Sequence, residues 1–311
     1  MENTINTQGL YIYGIIPNCH DAEQFQKLKS LGVFNIAYQK VSAIVSLKSV
    51  TDYRQLSTEQ LAKLLVDHQM TIENLMKIGF RTVIPIRLGT FARDNSDVVK
   101  ILTKGYDLIM QIIEKTTNLI EIDLISTWAD FSGIMAEIAV HPEVFLMKEK
   151  IEHSPTGVRQ TDQLSIGYLV KKILDEKKAD FAAKIVKTLN PFCQMIKQHE
   201  VLNDKMVSNT AFLINQSQLP LLEKALDLLD EILNGQLNFR MVGPLPCYSF
   251  YTLEVMELQQ NELESARKEL GLNTYTSEKN IKQAYLSKAK LFHPDRYDDN
   301  RIERTCCYLT K

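Results

Sequence analysis

Cysteine, histidine, proline and glycine are all scarce in this 311-residue chain, with five, six, nine and twelve copies. The cysteines (Cys19, Cys193, Cys247, Cys306, Cys307) are odd in number, and no two stand in a CxxC spacing. That excludes a disulfide framework and a zinc module, and leaves scattered thiols packing as small hydrophobes. The histidines (His20, His68, His141, His153, His199, His293) lack a second His or Cys at metal-ligand spacing, so no metal is expected. Few glycines and prolines exclude a fibrous or low-complexity chain. Charge of either sign is not in excess: 36 Lys plus Arg against 38 Asp plus Glu gives −2, so a polybasic nucleic-acid binder is excluded. No apolar run reaches the eighteen or so residues of a membrane helix, and the N-terminus MENTINTQGL lacks an apolar h-region. GxSxG, HExxH, GxxxxGK[ST] and GxGxxG are missing too. An enzyme is therefore not expected, and neither is a cofactor.

What is present is an ordinary globular mixture, 45% hydrophobic and 24% charged, in a chain long enough for two domains. Residues 10–16 (LYIYGII), 35–39, 42–47, 81–88 and 120–128 read as strands. Helices are expected at about 58–78, where Ser57 and Gln60 form a capping-box pattern, and at 97–115. His68 falls on the apolar face of the first, as a hydrogen-bonded core histidine rather than a base. This defines an N-terminal α+β domain at 1–140. A linker-and-helix segment at 141–165 leads into a second domain at 160–257, with helices at 164–189 and 217–233 and strands at 192–202, 206–215, 237–242 and 248–255. That order suggests a ferredoxin-like two-layer sandwich. Residues 258–311 form a C-terminal helical hairpin, so the fold class is α+β with a helical tail. The paired carboxylates Asp21/Glu23, Glu121/Asp123 and Asp298/Asp299 are as many as composition alone supplies, and Arg81 and Arg87 read as a solvated strand edge.

Five stretches, taken in order, resemble the gas vesicle protein F/L family: YIYGI at 11–15, RTVIPIRLGT at 81–90, GYL at 167–169, NTAFL at 209–213 and FRMVGPLPCYSF at 239–250. They span residues 8–256. In the last stretch Leu245 and Cys247 replace the aromatic and second proline that the family usually carries. The resemblance implies a non-enzymatic assembly or structural protein, located at the gas vesicle shell and in the cytoplasm. It would bind the hydrophobic major wall protein, beside other gas vesicle accessory proteins, and support shell nucleation or growth. The motif residues Tyr11, Tyr13, Gly14, Pro85, Arg87, Gly89, Phe212, Gly243, Pro244 and Tyr248 are expected to specify the fold or bind a partner. A strand at 10–16 or 248–255, if at a sheet edge, would accept an incoming strand.

A second resemblance covers the tail. ELGL at 269–272, IKQAY at 281–285 and His293-Pro294-Asp295 look like the first two helices and loop of a J-domain. That implies a co-chaperone alternative, in which Lys282 and the tripeptide contact Hsp70 while residues 1–256 hold a hydrophobic client. Lys288 stands where J-domains place a core leucine, and residues 296–311 leave little for a third helix, so a truncated hairpin is expected.

Overall fold

A computed structural model describes residues 8–18, 22–50, 53, 56–153, 159–256 and 260–291. The chain divides into two compact units, Met1–Val255 and Met256–Lys311.

The first sheet of the larger unit is built around β1 (Gln8–Pro17), apolar at nearly every position because both of its faces are covered. After α1 (Ala22–Ser30) come β2 (Phe34–Tyr38) and β3 (Val41–Ser49). β3 pairs antiparallel with β1 and β2 lies outside it. On the other side of β1 run two short pieces, β4 (Ile84–Pro85) and β5 (Phe91–Ala92). The register of β1 slips between Ile12 and Gly14. This bulge inverts the alternation, so Leu10, Ile12 and Ile15 face one core and Tyr11, Tyr13 and Ile16 the other.

Two helices cover those faces. α2 (Thr58–Lys77) starts on the expected capping box, with the Ser57 side chain accepting from the Gln60 N–H and the Gln60 side chain from the Ser57 N–H. It buries His68, Ile72 and Leu75 on the tyrosine side. α3 (Asn95–Thr116) is capped by Asp94 and buries Val98, Leu102 and Ile109 on the other.

The second sheet begins with β6 (Leu119–Trp128). α4 (Phe131–Ala139), α5 (Pro142–Glu152) and α6 (Gln160–Leu189) lead to β7 (Cys193–Gln198) and β8 (Met206–Asn215), then α7 (Leu219–Ile232) and β9 (Leu237–Leu245). The strand order is β7-β8-β6-β9, with every neighbouring pair antiparallel. Numbered from β6, this is 2-3-1-4, the ferredoxin-like order. Ile120, Ile122, Leu124 and Trp128 turn one face of β6 onto Phe212 and Ile214 of β8, Leu174, Phe181 and Ile185 of α6, and Leu222, Leu226 and Leu229 of α7.

The sandwich is therefore built from a different set of strands than the sequence suggests. β6 is its first strand, and the chain changes sheet at residues 117–118, ahead of the linker-and-helix segment expected at 141–165. Its alternation marks a half-buried strand but carries no information about partners more than eighty residues away. Residues 248–255 are not a strand: the chain turns at Tyr248–Phe250, held by Tyr251 N–H donating to Cys247 O at 2.8 Å. The segment expected as a strand at 81–88 contracts to β4, where Pro85 has no N–H to extend a ladder.

The smaller unit is a hairpin of α8 (Gln260–Leu270) and α9 (Glu278–Leu291). Gly271, at φ +67°, ends α8 in the left-handed region, and Ser277 Oγ accepts from Asn280 N–H to start α9. No residue of α9 is buried. Phe292 and the tripeptide His293-Pro294-Asp295 lie outside the described residues. Among the described residues no helix is long and apolar enough to cross a membrane.

Candidate functional site: a strap across two sheets

Leaving β9, residues 246–254 cross the outer face of β6 and run to the first sheet. Cys247 packs with Leu119 and Leu213, flanked by Phe250 and Tyr251. At the far end Leu253 N–H donates to Pro85 O at 2.9 Å, Arg87 N–H donates to Leu253 O at 2.8 Å, and the Arg87 guanidinium pairs with Glu254. The strap thus ties the ferredoxin-like sheet to β4.

Ser249 holds its middle. Its N–H and hydroxyl both donate to the Glu121 carboxylate, at 2.8 and 2.6 Å. The hydroxyl also lies 3.0 Å from His199 Nε2, and Lys197 Nζ donates to the Ser249 carbonyl at 2.8 Å. Every polar group of Ser249 is thereby committed to holding the strap. Glu121 is 1% exposed, and its pKa is pushed up to about 7, first by burial, against the opposing Ser249 hydrogen bonds and with help from Asp123. Asp123, two residues along the same strand face, is also shifted upward by burial, and its Oδ1 is buried without a hydrogen-bond partner. Burial and the neighbouring Glu121 push the Cys247 thiol up to about 12, so it is no nucleophile.

The expected motif residues divide among four places. Gly14 and Pro85 face each other in the β1–β4 register, where a Cβ on Gly14 would meet Ile84 O at 2.8 Å; with Arg87 they form the strap's landing point. Gly243, Pro244 and Tyr248 lie at its departure. Tyr248 is half-buried with an unpartnered hydroxyl, its pKa raised by burial and by Glu73 and Glu121.

Tyr11, Tyr13 and Gly89 belong to an aromatic cluster in the tyrosine-side core. Tyr11 Oη lies 2.7 Å from His68 Nδ1 and accepts from Gly89 N–H at 3.5 Å, and Tyr13 Oη lies 3.1 Å from Ser46 Oγ. Lys48 Nζ sits 4.8 and 5.2 Å from the Tyr11 and Tyr13 ring centroids. Burial lowers the His68 pKa to about 4, so the imidazole is neutral, as a core histidine should be. Phe212, fully buried, is deep in the second core.

The sequence reading missed Lys197, His199 and Ser249 and treated Glu121 and Asp123 as a chance pair. Their even spacing on an alternating strand was the available signal: it puts both carboxyls on one face, although only the distant strap makes that face buried.

Gly243 has φ +152°, and a Cβ there would lie 2.5 Å from Ile122 Cδ1 and 3.0 Å from Glu121 O. Gly243→Ala is expected to cost about 2–4 kcal/mol, from a strained dihedral and a displaced β6 backbone together. Urea unfolding checks this; a change within about 0.5 kcal/mol would refute the close approach.

The two-sheet body with its strap has the fold of gas vesicle protein F. It is similar to the crystal structure of GvpF from an Anabaena species, with TM-score 0.65 and 20% identity over 79% of this chain and 99% of that one. The GvpF crystal structure from Microcystis aeruginosa gives 0.62 with the same identity and coverage. Residues 9–252 match the gas vesicle synthesis protein GvpL/GvpF family, and the chain belongs to that family. Gas vesicle protein F of Dolichospermum flosaquae is 24% identical over 79% of this chain and 98% of its own length, and that of a Nostoc species 22% over 78% and 98%. The protein's role is accordingly a gas vesicle one. The α8–α9 hairpin lies beyond the matched residues.

Proposed function

We propose that this protein is an assembly factor that binds the hydrophobic gas vesicle wall protein and supports nucleation or growth of the shell, acting at the shell and in the cytoplasm beside other gas vesicle accessory proteins. The observation that supports it best is an apolar stripe on the outer side of α7. Leu221, Leu228 and Ile232 follow one another at spacings of seven and four and are 47%, 59% and 73% exposed, beside the buried stripe that packs on the sheet. Exposed apolar stripes of this kind suit an apolar partner. Strand addition to residues 10–16 is not available, because β1 is paired on both sides.

A pull-down with the purified wall protein tests the reading, using the full chain beside a version ending at Glu257. Both versions are expected to retain the wall protein, and Leu228→Asp with Ile232→Asp to lose it at unchanged circular dichroism. Failure of both versions to bind would overturn the proposal. The co-chaperone alternative rests on the α8–α9 hairpin, whose second helix carries Lys279, Lys282, Lys288 and Lys290. It requires Hsp70 in the full-chain eluate alone, and its loss in His293→Gln.

A further inference from the structure

We propose that Glu121 and Asp123 share one proton, and that this proton latches the strap at 246–254 across the two sheets. The arrangement that calls for it is geometric. Glu121 and Asp123 stand two residues apart on β6 and so share one face of it, where Glu121 is bonded to the strap and Asp123 Oδ1 is buried. Glu121 uses one oxygen for the Ser249 N–H and the other for its hydroxyl, and Asp123 Oδ1 is left buried with no donor. Two ionised carboxylates have no hydrogen to offer each other. A single proton between them removes the like-charge repulsion and gives the pair a donor, while both Ser249 bonds can be kept.

The surroundings fix the direction of the coupling. Facing the pair are Cys247, Tyr248 and Ser249 from the strap, Lys197 from β7 and His199 just after it, with Glu73 of α2 reaching it through Tyr248. Lys197 is spent on the Ser249 carbonyl, and His199 faces Asp123 and the Ser249 hydroxyl. The strap itself supplies the desolvation: Cys247, Phe250 and Tyr251 cover that end of β6. Opening it would return Glu121 to water and to the ordinary carboxylate range near 4.5, from about 7 when covered. The closed state therefore binds the proton more tightly than the open state, and closure weakens as pH rises from about 4.5 to about 7. Strap opening bares Leu119 and Leu213 and cuts the tie to β4, so proton loss loosens the join between the sheets.

Hydrogen exchange of the full-length protein, read by mass spectrometry, tests this on the amides of Ser249, Tyr251 and Leu253, all hydrogen-bonded in the closed strap. After correction for intrinsic exchange, their protection is expected to fall about tenfold between pH 6 and pH 8, while staying below that of α3. Glu121→Gln, neutral at every pH and able to donate to Asp123, is expected to remove the step, and His199→Gln to retain it. A flat wild type, a step that survives in Glu121→Gln, or one that vanishes in His199→Gln would each overturn the proposal. So would strap and α3 amides of equal protection at pH 8, since the whole body would then be unfolding. Should Glu121→Gln not fold, Asp123→Asn serves in its place: losing the like charge moves the step to lower pH, and an unmoved step overturns the shared proton.

Discussion

Phe212→Ala is expected to lower the unfolding free energy by about 3–5 kcal/mol, the range for removing a fully buried aromatic ring. Phe212 sits in the middle of the second sheet, opposite Ile122 of β6 on one side and Ile196 of β7 on the other, with no exposed surface. The helices α6 and α7 close over the same core, so the sheet has little freedom to collapse into the space left behind. Against a typical total of about 5–15 kcal/mol the loss removes a large share of the stability. The protein contains a single tryptophan, Trp128, 4% exposed in this same core and edge-on to Phe181 at 5.1 Å. Its fluorescence during urea unfolding therefore reads the affected region directly. Ile232→Ala, on the exposed α7 stripe, is the control and should change stability by less than about 0.5 kcal/mol. Equal midpoints for the two variants would refute the packing described for β8.

The elements that were legible in the sequence are those whose determinants are local. Ser57 and Gln60 are three residues apart and fix the start of α2 by themselves, and the apolar spacing around His68 places that histidine in the core before any fold is known. The motifs at 11–15, 81–90 and 239–250 carry the family resemblance, but the strap that joins the last two is not written in them. Determinants that act across the fold were not legible. β6 joins strands far along the chain, whereas Gly14 inside an apolar strand does signal the bulge and the close approach to Ile84 O found there. The apolar residues of 248–255 look like a strand's, but Phe250 and Tyr251 pack against Leu119 and Leu213 as part of a turn and strap. Glu121 and Asp123 look like chance acids until Ser249, 128 residues later, covers them.

Wild-type stability is expected to change little between pH 4.5 and 6.5 for reasons specific to this protein, and each of two variants should unmask a steep slope of opposite sign. His68 is neutral in the folded state, with its pKa lowered to about 4 chiefly by burial and also by the nearby Lys48, against 6.5 in the unfolded chain. Its contribution is complete above 6.5 and is lost as pH falls towards 4, because the unfolded chain then takes up the proton first. Glu121 runs the other way. Its folded pKa of about 7 exceeds the unfolded 4.5, so its contribution is complete below 4.5 and is lost as pH rises towards 7. Both groups are almost wholly buried, 4% and 1% exposed, and each spans about 3 kcal/mol over nearly the same window. In the wild type the two slopes oppose and largely cancel. Glu121→Gln should remove the Glu121 slope that opposes the histidine's, so that the variant loses about 3 kcal/mol on acidification from pH 6.5 to 4 relative to wild type. His68→Gln should leave the carboxyl slope, gaining a similar amount over the same range. Urea midpoints measured at half-unit pH intervals give both differences, and the acid titration of the exposed carboxylates drops out because all three chains share it. Parallel curves for the three proteins would mean that neither group titrates differently in the folded state, which the burial of both under Tyr11 and under the strap argues against.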